Sequence, residues 1–379
     1  MAQYRNYEID GLRGWAAVIV LFFHFFQELF GKLHPILHSD IFFFLLNGSM
    51  MVKIFFILSG DALSAAFFSS GLTKSAVRIV IARYFRLTFP IFITCFLVFL
   101  SLKMGIVCNH QASLVIDRPD WLGHFLSFEA SLQGFFSYVF AGVYGKAYGS
   151  QVYNDFLWTM SWEMLGSLLV FINIFALNFI KEKYIGWILL IQFAVFYLVR
   201  SELSLFVAGI LLGYLRHVGL FEKIRKQNWN FIILIGFFVF CLVILPFYRF
   251  YFPRILEITS MGFVRDSYYS MFFFPIAIVL LAYSSKHLGM FFSNRASRYF
   301  GSISFPIYIF QFNVLVTYTS WVILKFNENS FLHSNMWIII PISSILITFI
   351  MAEFFKPIER YFLIHLNNLI EKKLMKEAV

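Results

Sequence analysis

The sequence predicts an all-α fold that threads a membrane about ten times. Three observations carry that expectation: a shortage of charge, a series of apolar stretches of spanning length, and an uneven distribution of lysine and arginine. Of the 379 residues, 60% are hydrophobic and only 13% are charged. Soluble domains carry roughly 25% charged residues, so water would find about half its usual supply of solvating groups here. A bilayer removes the difficulty, because the surface that a spanning helix offers to lipid is apolar. The 53 phenylalanines suit such a surface.

The apolar stretches fall at about 12–30, 41–60, 86–107, 156–180, 185–200, 203–216, 231–250, 268–285, 299–324 and 337–356, the fifth and sixth being short. Placing the amino terminus inside assigns 19 lysines and arginines to inside segments, among them Lys74, Arg83, Arg86, Arg216, Lys223, Arg225 and Lys372. Outside segments receive 8: Lys32, Arg118, Lys146, Arg200, Arg249, Arg254, Arg265 and Lys325. One span more or fewer would scramble that alternation. The bias therefore predicts ten spans with both termini cytoplasmic.

A net charge of +10 raises the question of nucleic acid, but the cations are scattered between apolar stretches instead of forming one basic block. Cys95, Cys108 and Cys241 are odd in number and lack metal-ligand spacing, so neither a disulfide framework nor a metal site is expected. The first apolar stretch carries Arg13 and His24 and has no small-residue cleavage site, which predicts a retained helix. Residues 1–365 are expected to form one transmembrane domain, with 366–379 as a short cytoplasmic tail. The longest loop, about 108–155, is expected outside, either capping a cavity or forming a loosely packed connection.

A charge in hydrocarbon costs roughly 3 kcal/mol on insertion scales, so each polar residue in a span calls for a reason. Arg13 and His24 are eleven residues apart, which on an α-helix returns to within roughly 20° of the same face after a rise of about 16 Å. Glu28 follows one turn beyond His24. Arg13 is either a snorkelling anchor or a functional cation. His24 is either a hydrogen-bonded interhelical histidine or a general base, since imidazole titrates near pH 6.5. Glu163, within Trp158–Thr159–Met160–Ser161–Trp162–Glu163, could orient a histidine, bind a hydroxyl or pair with a buried cation such as Lys53. Glu353 and Glu359 read as interfacial salt-bridge partners. Phe55–Phe56–Ile57–Leu58–Ser59–Gly60 is expected to close the second helix, with Gly60 permitting a turn or a close helix approach. Arg83 and Arg86 are expected to open the third helix on one face, either as anchors or as a pair for the phosphates of a nucleotide-like ligand. No glycine-rich phosphate loop is present, so side chains would have to hold such phosphates.

Taken in order, these pieces resemble the acyltransferase-3 family of membrane O-acyltransferases. Arg13 and His24, after Ile9–Asp10–Gly11–Leu12, match its Arg-x10-His signature, and Phe55–Phe56 with Ser59–Gly60 match its Phe-Phe-x-x-Ser-Gly stretch. Arg83 and Arg86 match its Arg-x-x-Arg pair, and the segment ending in Glu163 resembles its Trp-Ser-x-x-x-Glu. Ile303–Ser304–Phe305–Pro306–Ile307–Tyr308 resembles its Ile-Ser-Tyr-x-x-Tyr run. Lys53 stands where an aspartate commonly precedes the paired phenylalanines, Met164 where a second glutamate is frequent, and Gln311 where a histidine often follows the last run.

The resemblance implies transfer of an acetyl or other short acyl group from acyl-CoA to a hydroxyl of a surface polysaccharide, lipopolysaccharide or related glycan, in a bacterial cytoplasmic membrane. It implies His24 as the catalytic histidine, Arg13 as its partner, and Glu163 as a site residue. Arg83, Arg86 and Ser59 would help to hold the donor. Acyl-CoA would be a substrate, with no permanently bound cofactor. The alternative from another class is a transporter or flippase whose pathway is lined by Arg13, His24 and Glu163. Paired interrupted helices in two related halves would favour it, and no such repeat is evident.

Overall fold

A computed structural model describes residues 6–39, 42, 46–70, 74–145, 151–244, 267–326, 332 and 334–376. Arg5, Lys146, Arg249, Arg254 and Arg265 of the charge pattern lie outside the described residues, as do the start of the 41–60 stretch and the end of 231–250. Among the described residues every regular element is a helix. The described part of each of the ten apolar stretches overlaps one.

Helix α1 runs over Tyr7–Phe22 and continues as a π-wound turn, Phe23–Glu28. It is followed by α2 (Gly48–Ser70), α3 (Lys74–Lys103), α4 (Asn109–Val115), α5 (Leu132–Phe140), α6 (Thr159–Leu177), α7 (Glu182–Leu198) and α8 (Leu203–His217). Next come α9 (Leu220–Arg225), α10 (Asn230–Val239), α11 (Ser267–Ser284), α12 (Lys286–Phe292), α13 (Arg295–Val314), α14 (Ser320–Phe326) and α15 (Ile339–Lys376). Among the described residues, six helical segments are long and apolar enough to cross a membrane, or seven if α11 and α12, bent by 96° at Ser285, form one span. Helices α8 and α10 are shorter and apolar. The chain is thus a multi-pass membrane protein. Lipid also explains the exposed apolar side chains at helical spacing, such as Leu165, Leu168, Ile172 and Phe175 on α6 and Ile350, Phe354 and Ile358 on α15.

The chain divides into two compact units. The first comprises Met1–Ala16, Asp40–Val80 and Trp162–Ser302. Its centre is the crossing of α2 and α8, where backbone meets backbone. A Cβ on Gly60 would collide with Phe206 O, and one on Gly209 with Ile57 O. Small residues let helices approach closely in a bilayer, where van der Waals packing and hydrogen bonds replace the hydrophobic drive. Gly60 therefore serves the close approach, and α2 does not end there but continues to Ser70. Likewise, Gly11 lies on the backbone of Phe292, and Trp15 donates from Nε1 to Ser297 Oγ at 3.0 Å.

The second unit comprises Ala17–Ser39, Ile81–Ser161 and Ile303–Val379. Within it, the described part of the 108–155 segment, 108–145 and 151–155, is not a loosely packed connection, because buried amides fix its turns. Asn109 Nδ2 donates to Leu122 O and Phe125 O at 2.8 and 2.9 Å. Tyr138 donates to Asn154 O at 2.9 Å, and Asn154 Nδ2 in turn donates to Ile309 O of α13 at 3.2 Å. Such groups satisfy a non-helical backbone that would otherwise be costly to bury. Helix α3 begins well before the expected start at Arg83, since nothing in Lys74–Ala82 breaks a helix. The proposed tail is likewise helical through Lys376, as the carboxy-terminal end of α15.

Candidate functional site

His24 sits in the π-wound turn that continues α1, in the second unit. Such turns are rare and occur frequently at functional sites. The His24 ring is half-buried and stacks on Phe156, with centroids 3.9 Å apart and planes at 18°. Trp121, from the 108–155 segment, lies 6.2 Å from it. His24 Nδ1 is 3.1 Å from Gln311 Oε1. The orientation of the Gln311 amide follows from its other contact: Nε2 donates to Tyr308 O at 3.0 Å, which turns Oε1 toward the imidazole. In the neutral ring the proton then sits on Nδ1, and Nε2 keeps its lone pair. A histidine held this way can accept a proton at Nε2 from a hydroxyl.

The π-wound turn ends at Glu28, which Arg118 clamps. Arg118 Nη1 donates to Glu28 O and Nη2 to Glu28 Oε2, the latter at 3.1 Å. The guanidinium also lies 5.2 Å from the Trp121 ring, and its Nε is 3.4 Å from Asp120 Oδ1. Asp120 accepts from Lys32 at 3.2 Å; that bond and the charges of Arg118 and Lys32 hold its carboxyl below the usual range.

The other predicted site residues near α1 and α2 belong to the first unit. Arg13 Nη2 donates to Leu58 O at 3.4 Å. Ser59 Oγ donates to Glu163 Oε1 at 2.5 Å, a charge-assisted contact that joins two of the predicted residues directly. The cationic neighbour of Glu202 is Lys53, whose amine also lies 5.3 Å from the Phe272 ring. Lys53 is thus matched with Glu202, not with Glu163. Asp61, fully buried on α2, accepts from Arg216 Nη2 and from the Tyr283 hydroxyl. A cavity of about 550 Å³ opens elsewhere in this unit, lined by Arg225, Lys226, Lys286 and His287 among others.

Arg83 and Arg86 lie on α3 in the second unit, half-buried and exposed respectively. Arg83 is a charge neighbour of Tyr144, whose phenol is pushed up by burial against the Thr88 hydrogen bond and the Arg83 charge. Arg86 is the cationic neighbour of Glu359. Glu353 pairs with Lys356 at 3.5 Å. Among the described residues, no three His, Cys, Asp or Glu side chains are grouped to hold a metal ion.

The model of a family described as an acyltransferase domain matches residues 6–353 of the 379. The chain belongs to the acyltransferase-3 family. Comparison with curated proteins and with solved structures gives no match. Family membership makes this chain an acyltransferase, which requires an acyl donor and an acceptor.

All five stretches that resembled the family lie within the match. Three partners escaped sequence reading. Gln311 was visible only as a departure from the family's usual histidine, yet it is what holds His24. Arg118 was counted as an outside charge. Asp61 follows Ser59–Gly60 directly, and the only signal is an aspartate just past the end of the 41–60 stretch.

Proposed function

We propose that this acyltransferase moves an acetyl or other short acyl group from acyl-CoA to a hydroxyl of a surface glycan or glycolipid, with His24 as general base. The observation that carries the reading is the hydrogen bond from His24 Nδ1 to Gln311 Oε1, which leaves Nε2 as the basic atom. The acceptor hydroxyl gives its proton to Nε2 while its oxygen attacks the thioester carbonyl. The C–O bond forms, the C–S bond breaks, and the proton passes from Nε2 to the departing coenzyme A thiolate. Arg13 serves the transfer through its positive charge. Ser59 and Glu163 act as a pair in substrate binding, and Arg83 and Arg86 hold donor phosphates.

Ten spans with both termini cytoplasmic complete the proposal. Six long helices, the bent pair α11 and α12 taken as one span, and the shorter α7, α8 and α10 would together make ten. A bacterial cytoplasmic membrane is the expected location, with the phosphate-bearing donor on the cytoplasmic side.

Membranes carrying the chain, given radiolabelled acetyl-CoA, test the class of reaction. Label appearing in the glycan fraction supports transfer. Glycan crossing the membrane unlabelled, with the thioester intact, would favour the transporter reading instead.

A further inference from the structure

Asp61 has no part in the chemistry above, and its surroundings are unusual for a buried carboxylate. Oδ1 accepts from Arg216 Nη2, and Oδ2 accepts from the Tyr283 hydroxyl at 2.7 Å. Its second cationic neighbour is Arg13. Arg13 reaches the same turn of α2 through Leu58 O, three residues before Asp61. The carboxylate has little freedom: a Cβ on Gly213 would lie 2.8 Å from Oδ1, so the bare backbone of α8 forms one wall of its site.

One carboxylate thus faces two guanidiniums. Burying a charge alone is costly, and one partner would have sufficed to balance Asp61. Arg216 already does so, with its side chain 25% exposed. Together Arg216 and Tyr283 occupy both carboxylate oxygens. Asp61 therefore attracts Arg13 without taking up its N–H donors, of which a guanidinium has five. Among the described residues, the hydrogen bond that the Arg13 side chain makes is the long one to Leu58 O.

We propose that Asp61, seated by Arg216 and Tyr283, is a positioning residue that sets the Arg13 guanidinium in place and leaves its charge and donors for the reacting groups. This rests on the reading that Arg13 serves acyl transfer. Removal of the Tyr283 hydroxyl frees Oδ2, which then draws Arg13 toward Asp61. Removal of both Asp61 and Arg216 keeps the cluster's net charge but releases Arg13.

The test is a mutant cycle on the full chain in native membranes, with radiolabelled acetyl-CoA and the endogenous acceptor. Tyr283→Phe and the pair Asp61→Asn with Arg216→Gln are each made alone and with Arg13→Lys, at matched membrane levels. Each is expected to lower the rate about tenfold when Arg13 is present, and to add little in the Arg13→Lys protein. Unchanged rates with Arg13 present, or an equal loss in both backgrounds, would overturn the proposal while leaving Arg13 in its role. An Arg13→Lys protein at wild-type rate would remove that role and the proposal together. Should the double change block insertion, Tyr283→Phe, which deletes one hydroxyl, carries the same comparison.

Discussion

At the scale of single residues, orientation matters as much as identity. A histidine in a span has two nitrogens, and only the contact to Gln311 decides which one carries the lone pair. Gln311→Leu keeps the volume and removes the acceptor. The expected outcome is a roughly tenfold slower transfer at unchanged membrane level, read as an initial rate, because the ring loses the bond that fixes its tautomer. Ser59→Ala should likewise weaken the hold on Glu163, by about 1.5–3 kcal/mol for a bond to a charged acceptor. A raised KM for acetyl-CoA with little change in kcat would place that pair in binding.

Asp120 offers a test by pH. Its carboxyl is held low in the folded chain, first by the Lys32 hydrogen bond and then by the nearby cations. A depressed carboxyl stabilises above its unfolded pKa of about 3.9, and that contribution is lost as pH falls through the lower folded value. Proteolysis of the 108–155 segment should therefore be slow at neutral pH and accelerate below about pH 4. Asp120→Asn should flatten that dependence.

At the scale of elements, the decisive contact is the backbone approach of α2 and α8. A side chain at Gly209 meets a carbonyl of α2 that cannot turn aside. Gly209→Leu is expected to cost more than about 3 kcal/mol, seen as early thermal unfolding in detergent, since overpacking against backbone must separate the helices. A Gly236→Ala change on α10, where nothing lies near the added atom, should not hasten unfolding and should stabilise the helix by about 0.5–1 kcal/mol. The 108–155 segment relies on amides instead: Asn109→Ala removes two buried bonds and should loosen that segment by about 2 kcal/mol.

At the scale of the whole molecule, the all-helical, multi-pass character was legible because hydrophobicity of spanning length is a strong signal. Helix ends were less so. Gly60 reads in the sequence as permitting either a turn or a close helix approach, and the structure makes it the approach, because a glycine's role depends on what lies opposite. Arg13, His24 and Glu163 stood out as charges in apolar helices, whereas Gln311 and Asp61 gained meaning only from partners more than 150 residues away. Sidedness has its own test. A cysteine at exposed Leu114 should react with an impermeant maleimide added outside, and one at Lys223 only after the membrane is opened.

The central claim is that transfer runs through His24. The most direct measurement is acetyl incorporation from radiolabelled acetyl-CoA into membrane glycan by wild type and His24→Ala at equal membrane levels. Loss of a general base predicts a fall of at least about 10²-fold, with the variant still inserted and thermally intact. Equal incorporation by the two proteins would contradict the role of His24.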